Sequence, residues 1–193
     1  MKIFSPLYNR VLQWSAHPKA PYYLGGMSFA ESSFFPIPPD IMLMPMSLAK
    51  PQQAFWFAWI TTIFSVLGGL LGYTIGYFAM DFITPLITEM GYQEKLDSAN
   101  AFFAEYGVWV VFIAGFSPIP YKVFTITAGA SSMALLPFII ASFIGRGARF
   151  YLIAALMKWG GAPLEPLIRK WVDWIGWAFI ALISLAIGWH YLG

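Results

Sequence analysis

Five ionisable residues interrupt otherwise apolar stretches of this chain, and their types could do chemistry: Glu31, Asp40, Lys122, Arg146 and Arg149. A charge at the centre of a hydrocarbon layer costs at least ~2.5–3.5 kcal/mol on insertion scales, so such residues ordinarily face a cavity and mark a site. Arg146 and Arg149 are three positions apart on a predicted helix and share a face. Two guanidiniums on one face can grip a phosphate with paired hydrogen bonds. Arg146 lies about ten residues from either end of its segment, roughly 15 Å deep, too far for easy snorkelling. Glu31 and Asp40 flank one proline break, and Lys122 ends another. The competing reading is that the five charges pair with one another as glue between helices. Three cations against two anions leave one positive charge over, which suits a monoanionic ligand.

The elements that hold these charges follow from composition. Of 193 residues, 59% are hydrophobic and 10% charged, against roughly 45–50% and about 25% in soluble domains. An ordinary soluble enzyme, a disordered chain and a nucleic-acid binder are excluded. The net charge of +2 is too small to point to a polyanion partner. There is no cysteine, hence no disulfide and no thiolate metal site. The only histidines, His17 and His190, lie towards the ends. The composition describes a small all-α integral membrane protein with a single membrane domain over 1–193, and neither metal nor cofactor is expected.

Residues 1–21 carry Lys2, Arg10 and Lys19, with apolar residues at helical spacing, and read as a basic amphipathic helix on the membrane surface. Residues 54–80 hold no charge and reach ~40 Å as a helix, enough to span a ~30 Å core. Residues 137–157 and 174–192 also reach spanning length. Two further stretches are broken by prolines. Residues 22–49 contain Pro36, Pro38 and Pro39, and residues 107–136 contain Pro118 and Pro120. Each is about 42–45 Å long if helical, short of the ~60 Å that two crossings need. Each is a kinked crossing or a hairpin that dips in and returns, and the hairpin is favoured. Residues 81–106 and 158–173 form polar connections. The first holds one lysine and five acids, and its second half reads as an amphipathic helix.

Pro36-Ile37-Pro38 recurs as Pro118-Ile119-Pro120. Each triplet precedes a spanning segment with glycines: Gly68, Gly69, Gly72 and Gly76 in the first, Gly145 and Gly147 in the second. The order of elements indicates two repeats, 22–80 and 107–157. If each is a re-entrant hairpin plus one crossing, the second is inverted, a common plan in secondary transporters. Positive-inside bias places the N-terminus and the 158–173 loop in the cytoplasm and leaves the side of 81–106 open. Close helix packing is the expected use of the first glycine group.

The motifs F-F-P-I-P-P-D (34–40), G-F-S-P-I-P-Y-K (115–122) and G-R-G-A-R-F (145–150) together resemble the DedA family. The likeness is nearest to its short YqaA-like branch, within a superfamily that includes the SNARE-associated Golgi (VTT-domain) proteins. The resemblance covers roughly 22–157. It implies two re-entrant hairpins facing each other from opposite sides of a bacterial cytoplasmic (inner) membrane. It also implies movement of a phospholipid or polyprenyl phosphate between leaflets, as a flippase or scramblase, with the proton as a coupling ion. The family's acidic pair falls on Glu31 and Asp40, its basic position on Lys122, and its later arginines on Arg146 and Arg149.

The residues therefore support a lipid transporter. Arg146, Arg149 and Lys122 would bind phosphate, and Glu31 and Asp40 would bind a proton or a headgroup amine. A proton-coupled carrier of a small anion would use the same residues, and an assembly factor would use them as glue. An enzyme is disfavoured, since no nucleophile–base pair is visible. A homo-oligomer is compatible with all of these readings.

Overall fold

The structure is a computed structural model, and it describes residues 17, 19–33, 38–91, 93–117 and 120–160. Most of the expected surface helix at 1–21, the expected crossing at 174–192, and Pro36 and Pro118 lie outside these residues. Every regular element among the described residues is helical. They are α1 (Ala20–Ser33), α2 (Asp40–Ala49), α3 (Ala54–Glu89), α4 (Gln93–Phe116) and α5 (Tyr121–Ala130), followed by α6 (Leu135–Gly160). A 3-10 turn, Pro51–Gln53, joins α2 to α3.

Proline fixes where the short helices start. Pro39 and Pro120 are the N-caps of α2 and α5, each ten residues long. A proline has no N–H for a preceding carbonyl, so a helix begins after it more readily than it continues through it. Among the described residues two helices, Pro51–Pro85 counted with the 3-10 turn and Leu135–Gly160, are long and apolar enough to cross a membrane. Helix α3 runs past the expected boundary at 80 to Glu89, 36 residues in all, or ~54 Å. The acidic stretch changes which solvent its surface suits without breaking the backbone. Gly91, at φ +74°, lets the chain turn after it, a conformation glycine adopts without steric cost. Helix α5 ends on Ser132 at φ +51°, with the Met133 N–H donating to the Ala128 carbonyl at 3.0 Å.

The side-chain pairs give the direction of each helix. Ser28 Oγ donates to the Thr61 carbonyl and Ser32 Oγ meets Ser65 Oγ, both 33 positions apart and both at 2.7 Å. A constant offset means that α1 and α3 run the same way. Helix α5 follows them, since Gly69, Gly72 and Gly76 lie successively against Tyr121, Thr125 and Ile126. Helix α6 runs opposite to α3, with Phe55 stacked on Tyr151 and Tyr73 in a tilted contact with Phe138. Helix α4 runs with α6, since Phe112 faces Gly145 and Ser117 faces Arg149. One apolar cluster joins α1, α2 and the start of α3 to the end of α6 through Leu24, Leu43, Phe57 and Phe150. The other joins α4, α5 and the start of α6 through Val111, Tyr121, Ala128 and Phe138.

The glycines of α3 at 68, 69, 72 and 76, with Gly129 and Gly145, are packing residues. A Cβ at Gly76 would land on the Ile126 carbonyl, and one at Gly129 on the Tyr73 carbonyl. Both hits are on backbone, which cannot rotate away. Gly76→Ala is therefore expected to destabilise the bundle by about 1–3 kcal/mol, the usual cost of overpacking. Gly26→Ala meets nothing within 4 Å and is expected to be neutral or to gain ~0.5–1 kcal/mol from helix propensity. Thermal unfolding in detergent compares the two. Equal midpoints would show that α3 and α5 are not in backbone contact.

Candidate functional site

Ser142, Arg146, Arg149 and Phe150 follow the four-, three- and one-residue spacing of one α6 face. That face looks into the region between the two apolar clusters. It meets α1 through Glu31, α2 through Asp40, α3 through Ser65, α5 through Tyr121, and the end of α4 through Ser117. The break before α2 puts Asp40 on its first turn, and the break before α5 does the same for Tyr121 and Lys122.

Arg146 is 2% exposed and is held on every side. Its Nη2 donates to Glu31 Oε2 at 2.5 Å and its Nε to Ser65 Oγ at 2.6 Å. Ser65 meets Ser32, and Ser32 Oγ returns to Glu31 Oε2 at 3.2 Å, closing a ring of four side chains. The rings of Tyr121 and Phe150 lie against the guanidinium, their centroids 4.9 and 4.6 Å from Cζ. A cation placed over desolvated rings gains ~2 kcal/mol or more. Tyr121 is itself fixed by donating to Ser142 Oγ at 2.5 Å.

Arg149 is held less completely. Its Nη2 pairs with Asp40 Oδ2, and its Nη1 donates to the Ser117 carbonyl at 2.6 Å. Arg149 Nε and Asp40 Oδ1 are buried and have no hydrogen-bond partner. The two charges meet end-on, through one atom each, where a side-on pair would have satisfied both leftover atoms. A buried polar atom left in this condition costs ~1–3 kcal/mol. The site thus contains one closed ion pair and one open one.

The structure brings Glu31, Asp40, Arg146 and Arg149 together as two acid–arginine pairs. Lys122 is half-buried at the start of α5, and its carbonyl accepts from Thr125 Oγ1 at 2.9 Å. Pro38, Pro39 and Pro120 lie at the starts of the short helices and touch none of the charges through a hydrogen bond. Among the described residues no cluster of acids or histidines could hold a metal ion. The residue types alone did not indicate Ser32, Ser65, Ser117, Tyr121, Ser142 or Phe150. A signal for the serines was present: Ser28, Ser32 and Ser33 stand in one apolar run as Thr61, Thr62 and Ser65 do in the next. Small hydroxyl residues in such runs join helices.

Among the described residues, an all-helical bundle with two apolar helices of spanning length and two acid–arginine pairs is the make-up of a membrane protein, and the relatives agree with it. The chain belongs to the DedA family: a profile described as the VTT domain matches residues 34–158. It is 47% identical over 186 residues to an uncharacterized protein of Haemophilus influenzae, covering 96% of this chain and 97% of the relative. It is 48% identical over 187 residues to an uncharacterized protein of Histophilus somni, covering 97% of each. A shorter match, 42% identical over 53 residues, is to undecaprenyl phosphate transporter A of Staphylococcus aureus, covering 28% of this chain and 26% of that one. No solved structure matches.

Proposed function

We propose that this chain carries a phosphate-bearing lipid, a phospholipid or a polyprenyl phosphate, between the leaflets of the bacterial inner membrane, with a proton as the coupling ion. The observation that carries the reading is the open pair: a guanidinium with an unpartnered N–H beside a carboxylate with an unpartnered oxygen, both buried. Buried polar atoms are normally satisfied, and exceptions are common where a ligand completes them. Membership of a family with a polyprenyl phosphate transporter among the chain's relatives supports the cargo class.

In this reading α1–α2 and α4–α5 are re-entrant hairpins, and each is followed by a crossing helix, α3 or α6. Helices α1, α2 and α5 are too short to cross, at 14, 10 and 10 residues, or ~15–21 Å. The opposite running of the two three-helix units supports an inverted repeat. The end of the bundle that carries Lys19, Lys50 and Lys158 would face the cytoplasm, and the turn between α3 and α4 would lie outside. A headgroup would pass the open pair while its chains stayed in lipid. The protein acts as a transporter with no bond made or broken.

Reconstituted vesicles test this. Labelled phosphatidylethanolamine, phosphatidylglycerol and a polyprenyl phosphate would be followed between leaflets, with and without a pH gradient. Headgroup-selective movement is expected for the unaltered chain, and a fall of at least tenfold for folded Arg149→Ala. Absence of movement for every lipid under every gradient would overturn the reading and leave the small-anion carrier and the assembly role.

A further inference from the structure

The charges outside the central site are divided between the two ends of the bundle. One apolar cluster gathers the start of α1, helix α2, the start of α3 and the end of α6. The stretches that meet there, 19–30, 41–60 and 151–160, carry Lys19, Lys50 and Lys158 and no acid. The end of α3 and the first half of α4 carry Asp81, Glu89, Glu94, Asp97 and Glu105, with Lys95 among them. Among the described residues the ion pairs are those of Arg146 and Arg149, so no acid neutralises Lys19, Lys50 or Lys158.

Lys158 is held in a particular way. It is half-buried in the last turn of α6, and its Nζ lies over the Phe55 ring, 4.5 Å from the centroid. Tyr151 stacks on the same ring at 5.8 Å, and Trp159 meets it edge-on at 6.1 Å. The ring occupies one side of the ammonium and leaves its full charge in place. Three N–H donors stand on that nitrogen, and those turned away from Phe55 suit an anionic oxygen. Tyr22, Tyr23, Trp56 and Trp159, at the same end, are exposed. Such amphipathic rings settle at the headgroup level of a bilayer, which puts Lys158 and Lys50 at the depth of the lipid phosphates. Basic groups between helices at that depth recruit anionic headgroups.

We propose that the lysine end of the bundle holds an anionic phospholipid as a resident, with its phosphate on Lys158, its chains in the surrounding bilayer, and Lys50 and Lys19 as a basic rim. Charge complementarity selects the occupant. A phosphatidylglycerol brings one net negative charge to three unneutralised cations. A phosphatidylcholine brings an ammonium as well, which the same cations repel. The place is separate from the acid–arginine pairs, because Lys158 follows Arg149 by nine residues, ~14 Å along α6. Such a lipid is bound and not moved, whatever the protein carries.

The test uses the full chain in phosphatidylcholine vesicles doped with brominated phosphatidylglycerol or brominated phosphatidylcholine. Bromine quenches tryptophan on contact, and Trp56 and Trp159 stand exposed at this end. Phosphatidylglycerol is expected to half-quench at a mole fraction about fivefold lower than phosphatidylcholine, the equivalent of one lysine at an anionic headgroup. High salt should narrow the gap, because exposed charges are screened. Lys158→Gln should remove most of it, and Lys158→Arg should keep it. The headgroup comparison and the salt series on the unaltered chain carry the test even where a variant fails to fold. Equal quenching by the two lipids, or a full preference in folded Lys158→Gln, would overturn the proposal. Relief of the quenching by inorganic phosphate would overturn it too, since the occupant would then be a soluble anion. In folded Arg149→Ala the preference should persist, and its loss would place the lipid in the central site instead. A preference that persists in a protein that moves no lipid would keep this site and remove the transport reading alone.

Discussion

Arg146→Ala is expected to lower the stability of this protein by about 3–5 kcal/mol, the usual result of removing one partner from a buried ion pair. The substitution leaves Glu31 half-buried without its arginine, with the Ser32 hydroxyl beside it, and it empties the space between the Tyr121 and Phe150 rings. The ring contacts add to the ionic loss, because Arg146 packs as well as pairs. Thermal unfolding in detergent measures the effect. Removing both charges, as Arg146→Met with Glu31→Gln, should recover much of the loss, since an apolar replacement of a whole buried pair is often neutral. A single variant with an unchanged midpoint would show that the closed pair is not structural. Equal losses for the single and double variants would place the stabilisation in the rings and not in the charges.

The second large effect belongs to the open pair and concerns transport. Arg149→Lys keeps a cation opposite Asp40 and removes the planar fork. Lipid movement in vesicles is expected to fall by about 10–100-fold, equivalent to one charge-assisted hydrogen bond of ~1.5–3 kcal/mol. Stability should fall by only about 1 kcal/mol, for the bond to the Ser117 carbonyl. The contrast between the two arginines is the informative result. Substitution of Arg146 should show first in unfolding, and substitution of Arg149 first in transport. Full transport by Arg149→Lys would mean that a point charge suffices and that the free Nε has no role.

The four charges that the structure pairs, Glu31, Asp40, Arg146 and Arg149, stand out by residue type, because an ionisable group in an apolar run is costly wherever it ends up. The starts of α2 and α5 were legible because proline removes a backbone donor irrespective of tertiary context. The partners of the two arginines were not legible. Glu31 and Arg146 are 115 positions apart, and Asp40 and Arg149 109 apart, so the choice depends on how α1 and α2 settle against α6. Arg146 and Arg149 share a face as their spacing requires, yet they are bound to different acids from different helices. Spacing sets the direction of a side chain but not what waits there. The extension of α3 through Asp81 to Glu89 was missed because a polar composition was read as a connection, whereas the helix continues through it even past Pro85, where one backbone donor is lost.

Helix α3 behaves mechanically as a fixed post. Three hydroxyls of α1 are bonded to it, by Ser28 to the Thr61 carbonyl, Ser32 to Ser65 and Ser33 to the Gly68 carbonyl. On its other side α5 approaches so closely at Gly76 and Gly129 that no side chain fits between. Sliding α1 or α5 along this post would break several buried hydrogen bonds at once or force backbone into backbone. Helix α2 has no such fastening: it is ten residues long, is weakened by Pro45, and carries the unsatisfied Asp40 at its tip. Helix α2 is held instead by Met42, Leu43 and Met46 in the apolar cluster and by the Asp40–Arg149 pair, so a force along it loads that ion pair first.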